Sequence, residues 1–122
     1  MQLTFPDNHF DFVVAASLLN VVTTPLTALT EMCRVSRNGG VVSVLVPNLA
    51  FTDGEAKRYL ESEKLSGISR AAFIMWHRLG KKMDINLVRT YFGTCGMTNI
   101  TTNILLGGMA VSITGVVSKK IQ

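Results

Sequence analysis

Residues Phe5–Gly40 read FPDNHFDFVVAASLLNVVTTPLTALTEMCRVSRNGG, and the architecture follows from this stretch. Pro6-Asp7-Asn8 is a turn signal, because proline fixes φ and Asp and Asn bond back to the backbone. Phe10 to Ala16 is an apolar run broken only by Asp11, which predicts a strand buried on both faces. Thr24-Pro25 predicts a helix start, with threonine as cap and proline at the first helical position. Leu26, Leu29, Met32, Cys33 and Ser36 then recur at helical spacing, while Thr27, Thr30, Glu31, Arg34 and Arg37 fall mostly off that face. Asn38-Gly39-Gly40 predicts the helix stop. Val41 to Val46 is a second buried strand, ended by Pro47-Asn48. Strand, helix and strand in that order make a βαβ unit, which lies in a parallel sheet. Ligands of such sheets bind at the carboxyl ends of strands, which makes Ala15-Ala16-Ser17 the candidate site.

Downstream, Asp53 to Leu65 and Ile68 to Leu79 predict two helices punctuated by Gly67 and Gly80. The second carries Phe73, Ile74, Trp76 and Leu79, and Lys57 and Glu61 of the first are spaced to pair. This insertion reads either as a lid over the site or as a plain crossover. Asp84 is expected to cap a further helix with Leu87, Val88, Tyr91, Phe92 and Cys95 on one face and Gly96 closing it. Asn99 to Leu106 and Met109 to Val117 predict two strands joined as a hairpin by Gly107-Gly108, and Lys119-Lys120 a solvated tail. The order β-α-β-(helical insert)-α-β-β is that of an open α/β domain. A mixed sheet of about four strands is expected, with a C-terminal antiparallel hairpin and helices on its faces.

At 122 residues the chain reads as one domain, 1–122. Hydrophobic residues make up 48% and charged residues 16%, which excludes disorder and supplies a core. The net charge of +4 comes from scattered cations, the densest group being Arg78, Lys81 and Lys82. Nucleic-acid binding needs clustered cations interleaved with aromatics, and that pattern is missing. Cys33 and Cys95 sit in apolar helical patterns and are expected as free buried thiols. With no CxxC or Cys/His cluster, no metal site is predicted. The opening MQLTFPDNHF lacks the regions of a signal peptide, and no apolar run reaches the roughly 18 residues of a membrane span. A cytoplasmic protein with no membrane partner is the expectation. His9 and His77 are expected at the surface.

Residues Leu3 to Asn48 resemble the second half of the class I S-adenosylmethionine-dependent methyltransferases, in the group around the ubiquinone and menaquinone enzymes. Phe5, Pro6, Asp7, Asn8, Phe10 and Asp11 match the family's turn into its fourth strand, and Val13, Val14 and Ala15 match that strand. Pro25, Leu26, Ala28, Leu29, Glu31, Met32, Arg34, Val35 and Arg37 match the next helix, and Gly39-Gly40 and Val46-Pro47-Asn48 the fifth strand's limits. The resemblance implies a partial Rossmann-like methyltransferase fold, S-adenosylmethionine as cofactor, and methyl transfer to a small molecule. It places Gln2 and Leu3 beside the adenine and Ala15, Ala16 and Ser17 under the cofactor. Methyl transfer depends mainly on in-line positioning, so the resemblance names no catalytic residue.

The departures are specific. The family's glycine-rich loop and ribose-binding carboxylate have no counterpart in these residues, which contain no G-x-G. Ser17, Asn20 and Val21 stand where His, Glu and His are common, and Asn38 where proline is usual. The chain is therefore expected to be the C-terminal part of the fold, truncated, and weakly active or inactive alone. Without a neighbour, Phe10 to Ala16 becomes an apolar sheet edge, so a homodimer through that edge or face is expected. A non-catalytic methyltransferase-like interaction module that self-associates is the alternative function, and a basic domain for an anionic partner the third.

Overall fold

The computed structural model describes residues 3–16, 18–79 and 81–119. Gln2, Ser17, Gly80 and Lys120, each singled out by the sequence, lie outside them. The elements are β1 (Phe10–Ala16), α1 (Pro25–Val35), β2 (Ser36–Pro47), α2 (Asp53–Ser62), α3 (Gly67–Leu79), α4 (Ile85–Thr94), β3 (Met97–Leu105) and β4 (Ala110–Val117). The sheet order is β1-β2-β4-β3. β1 pairs parallel to β2, whereas β4 runs antiparallel to both β2 and β3. This is the expected α/β architecture: a four-stranded mixed sheet ending in an antiparallel hairpin.

One core holds it together. Ala28, Leu29, Met32 and Cys33 of α1 and Val88 and Phe92 of α4 pack against Val42, Val44 and Val46 of β2 and Val111 and Ile113 of β4. Because side chains alternate across a strand, these alternate residues define a single covered face. The other face carries Phe12 and Val14 of β1, 57% and 58% exposed. β1 is therefore buried on one side only, a departure from the two-faced burial expected of an apolar run. Among the described residues, α1 and α4 cover the same face, and α2 and α3 form a separate small cluster with Phe51 and Met109.

The helix stop is also earlier than expected. α1 ends at Val35, and Ser36 already belongs to β2, its hydroxyl donating to the Met32 carbonyl at 2.7 Å. Asn38-Gly39-Gly40 instead bulges the strand: Phe10 pairs with Ser36 but Phe12 with Val41. Gly39 sits at φ 80°, and a Cβ on Gly40 would meet the Arg37 carbonyl oxygen at 2.9 Å. Glycine is needed there for a bulge rather than for a helix cap. Lys119 is not a solvated tail. Its Nζ donates to the carbonyls of Arg34 (3.1 Å) and Ser36 (2.7 Å), placing a cation at the negative end of α1.

Arg34 anchors the segment before β1. Its guanidinium donates to Glu31 (2.5 Å), Asp7 (2.6 Å) and the carbonyls of Phe5 and Leu3 (3.0 and 2.9 Å). The Leu3 N–H closes the network on Glu31 at 2.9 Å. The Arg34 hydrogen bond, then that of Leu3, holds the Glu31 carboxyl below its ordinary value of 4.5. Of the two predicted caps, Asp84 accepts from Asn86 N at 3.0 Å on α4, whereas the Thr24 side chain makes no capping bond on α1; Thr52 and Glu55 add an unpredicted reciprocal capping box on α2. The Lys57–Glu61 pair is not among the ion pairs of the described residues.

Two outcomes follow. Gly115 faces Phe92 and Met97 so closely that a Cβ would lie 2.9 Å from the ring. Gly115→Val should destabilise the chain by about 1–3 kcal/mol through overpacking, measured by urea unfolding. Glu31's depressed folded pKa adds stability that is complete above its unfolded value and disappears as pH falls through the lower folded value. Arg34→Gln should therefore shrink the fall in Tm on acidification below the ordinary carboxylate range. A variant whose acid profile superimposes on that of the parent would exclude this role for Arg34.

Candidate functional site

The two parallel strands end side by side, with Ala15 opposite Val44 and Ala16 opposite Leu45. Ala15 is buried and Ala16 is open to solvent. Small side chains at this edge leave the backbone approachable, which suits a ligand lying across the strand ends. Leu3 is placed differently. Both of its backbone bonds go to Glu31 and Arg34 in the C-terminal half of α1. That end of α1 adjoins the start of β1, where Asn8 N donates to the Arg34 carbonyl and His9 N to that of Val35. The structure thus brings Ala15 and Ala16 together and sets Leu3 on the path that leads up to β1; Gln2 and Ser17 lie outside the described residues.

Beyond β1 the chain turns through Leu18–Val21 and tucks Leu19 and Asn20 inward, at 1% and 4% exposure. Asn20 Oδ1 has no hydrogen-bond partner among the described residues. A buried amide oxygen without a donor is costly, which sets Asn20 apart from the satisfied polar groups around it. Asn20 lines a cleft of about 290 Å³ with Leu19, Val22 and Pro25 on one wall and Lys81, Lys82 and Met83 on the other. The sequence marked Asn20 only as a departure from a family pattern. What singles it out is a polar residue embedded in the apolar run LLNVV.

Beyond β2, Asn48 joins three segments. Its N–H donates to the Met109 carbonyl (2.8 Å), its amide nitrogen to Gly108 (3.1 Å), and its Oδ1 accepts from Ala50 N (3.0 Å). Leu49 and Met83 clamp the two ends of the helical insert through Leu49 N to the Met83 carbonyl and Met83 N to the Pro47 carbonyl, both 2.9 Å. The insert therefore leaves and re-enters at the strand ends, next to the Asn20 cleft. A larger opening of about 430 Å³ lies on the other side of Asn48, toward β3 and the start of α4.

His77 is a correction. It is 5% exposed, not a surface group; its Nε2 lies 2.7 Å from Asp53 Oδ1 and its ring stands edge-on to Phe51. The imidazole hydrogen bond holds the Asp53 carboxyl below its ordinary value. His9 is exposed, as expected. The two cysteines are free thiols, Cys33 buried and Cys95 partly so. Burial first, and Cys95 beside it second, push the Cys33 thiol up to about 12, which leaves it a poor nucleophile. Among the described residues no cluster of three His, Cys, Asp or Glu is placed to hold a metal, and no helix is long and apolar enough to cross a membrane.

Comparison with known proteins converges on this geometry. Residues 1–44 match the family model described as a methyltransferase domain. A phosphatidylethanolamine N-methyltransferase of Cereibacter sphaeroides is 48% identical over 53 residues, which are 43% of this chain and 26% of that protein. A demethylmenaquinone methyltransferase of Geobacillus stearothermophilus is 47% identical over 45 residues, 37% of this chain and 19% of the relative. The alignments thus span about a quarter or less of these relatives. Among solved structures, a SAM-dependent methyltransferase from Aquifex aeolicus superposes with a TM-score of 0.63 at 15% identity, covering 95% of this chain and 50% of that one. One from Thermotoga maritima gives 0.64 at 16%, covering 96% and 60%. The first 44 residues carry methyltransferase-domain sequence, and the chain as a whole shares the α/β fold of S-adenosylmethionine-dependent methyltransferases, spanning about half to three-fifths of those structures.

Proposed function

We propose that this chain serves methyl transfer from S-adenosylmethionine to a small molecule, contributing the strand-end floor and the substrate-side insert of the site. The observation that carries this reading is the overlap of the family-matching residues 1–44 with the parallel β1-α1-β2 unit, whose first strand ends in Ala15-Ala16. In it Ala15, Ala16 and Ser17 lie under the cofactor and the Asn20 cleft faces the acceptor substrate, while Leu3, tied to Glu31 and Arg34 near the start of β1, stands away from those strand ends. S-adenosylmethionine, when bound, supplies the electrophilic methyl group. The protein residues orient donor and acceptor and exclude water.

These 122 residues contain no G-x-G turn, so they lack the backbone cradle that dinucleotide-type folds use for close cofactor approach. The cofactor should therefore bind these residues alone more weakly than micromolar. In an NMR titration with S-adenosylhomocysteine, amide shifts should be confined to the carboxyl end of β1. An absence of shifts at Ala15 and Ala16 up to the solubility limit would remove the cofactor reading.

The bare sheet face and the β1 edge support a homodimer of this chain. Phe12 and Val14 are exposed on a strand whose outer backbone has no sheet partner among the described residues, and apolar edges of that kind pair or pack. Sedimentation at micromolar concentration should show a dimer that Phe12→Lys with Val14→Lys converts to monomer. A parent chain that is monomeric throughout contradicts this assembly.

A further inference from the structure

The helical insert carries a groove that the strand-end site does not use. It has a volume of about 460 Å³ and runs along the seam between α2 and α3. At about 100° per residue, Asp53, Ala56, Lys57 and Leu60 fall on one face of α2, and Arg70, Phe73, His77 and Arg78 on one face of α3. Those two faces line the groove. Its floor is closed by the buried side chains of Ala56, Leu60, Phe73 and His77. Lys57, Arg70 and Arg78 stand exposed along the rim and enter no ion pair among the described residues. Asp53, the acid on the same rim, is held by His77 Nε2 at 2.7 Å. His77 Nδ1 is buried without a hydrogen-bond partner among the described residues. Three cations against one carboxylate leave a surplus of positive charge above a largely apolar floor.

We propose that this groove binds a small phosphate monoester with an apolar body. Such a phosphate carries a charge of about −1.5 to −2 near neutrality, which balances the rim. The planar forks of Arg70 and Arg78 suit its oxygens. They are separated by about 12 Å of helix, a gap that two long side chains reaching toward each other close. The apolar body covers Leu60 and Phe73. With Nε2–H donated to Asp53 and Nδ1–H to a phosphate oxygen, both ring nitrogens of His77 would be paired. Charge and shape together select this class: an uncharged apolar molecule leaves the cations unmatched, and a bare anion leaves the floor wet. The inference is independent of methyl transfer, because the groove lies wholly on the insert.

The test is NMR titration of the chain with phenyl phosphate, inorganic phosphate and phenol, at low and high salt. Phenyl phosphate should shift the amides of Lys57, Phe73 and His77 and bind at least about tenfold more tightly than either fragment. Its binding should weaken as salt rises. Arg70→Gln with Arg78→Gln should weaken it at least about tenfold. Both arginines are exposed, so circular dichroism and melting should stay unchanged in that variant. No shift at those amides with millimolar phenyl phosphate overturns the proposal, and so does undiminished binding by the arginine variant. Equal affinity for inorganic phosphate would overturn it in favour of a bare-anion contact. Tighter binding of an oligonucleotide, lost in the same variant, would overturn it in favour of an acidic polymer.

Discussion

The structure depends on one packing constraint: α1 must lay its apolar stripe across the valines of β2. Leu29 and Met32 on the helix and Val42, Val44 and Val46 on the strand are all almost fully buried. A parallel pair of strands needs a crossover helix to return the chain to the same end of the sheet. Burying that helix fixes which face of the sheet is inside. Once β2 is set, β4 pairs along its other edge and α4 closes the core with Val88 and Phe92. Gly115 marks the tightest point of this closure.

Polar contacts refine the unit without driving it. Arg34 gathers Leu3, Phe5, Asp7 and Glu31, and Lys119 reaches back from the far end of the chain to the carbonyls of Arg34 and Ser36. These are largely solvent-facing contacts, each individually modest. Their value is geometric: they fix the path leading into β1, and through β1 the position of Ala15 and Ala16. Asn48 plays the matching part at the end of β2, tying the strand, the hairpin turn and the insert together. Glycine is required at that turn, since a Cβ on Gly107 (φ 67°) would press on the ring of Tyr59.

Most elements were legible in the sequence because each carries its own local chemistry. Thr24-Pro25 announces a helix start through its proline at the first helical position, and Asp84 through a side chain that accepts from a free backbone N–H nearby. Gly107-Gly108 announces the hairpin by its freedom at positive φ. The misreadings share a different cause. Asn38-Gly39-Gly40 has the composition of a helix stop, but pairing with β1 makes it a bulge. His77 looks like a surface histidine until Phe51 and Asp53, more than twenty positions earlier, are folded around it. Of the candidate site, the strand end was visible as a run of small residues. The buried acceptor of Asn20 was not, since hydrogen-bond satisfaction depends on what the rest of the chain brings near.

By itself, then, the sequence determined the order of elements, the parallel βαβ unit, the antiparallel hairpin and the family likeness of the first forty-odd residues. These depend on periodicity, caps and turns, which act within a few residues. Only the tertiary structure decided that β1 is covered on one face alone, that α1 and α4 share that face, and that Lys119 caps α1. It also decided that α3 turns Ile68 and Met75 outward. Burial is a property of pairs of distant segments: an apolar run records that a residue favours leaving water, and its partners determine whether it does.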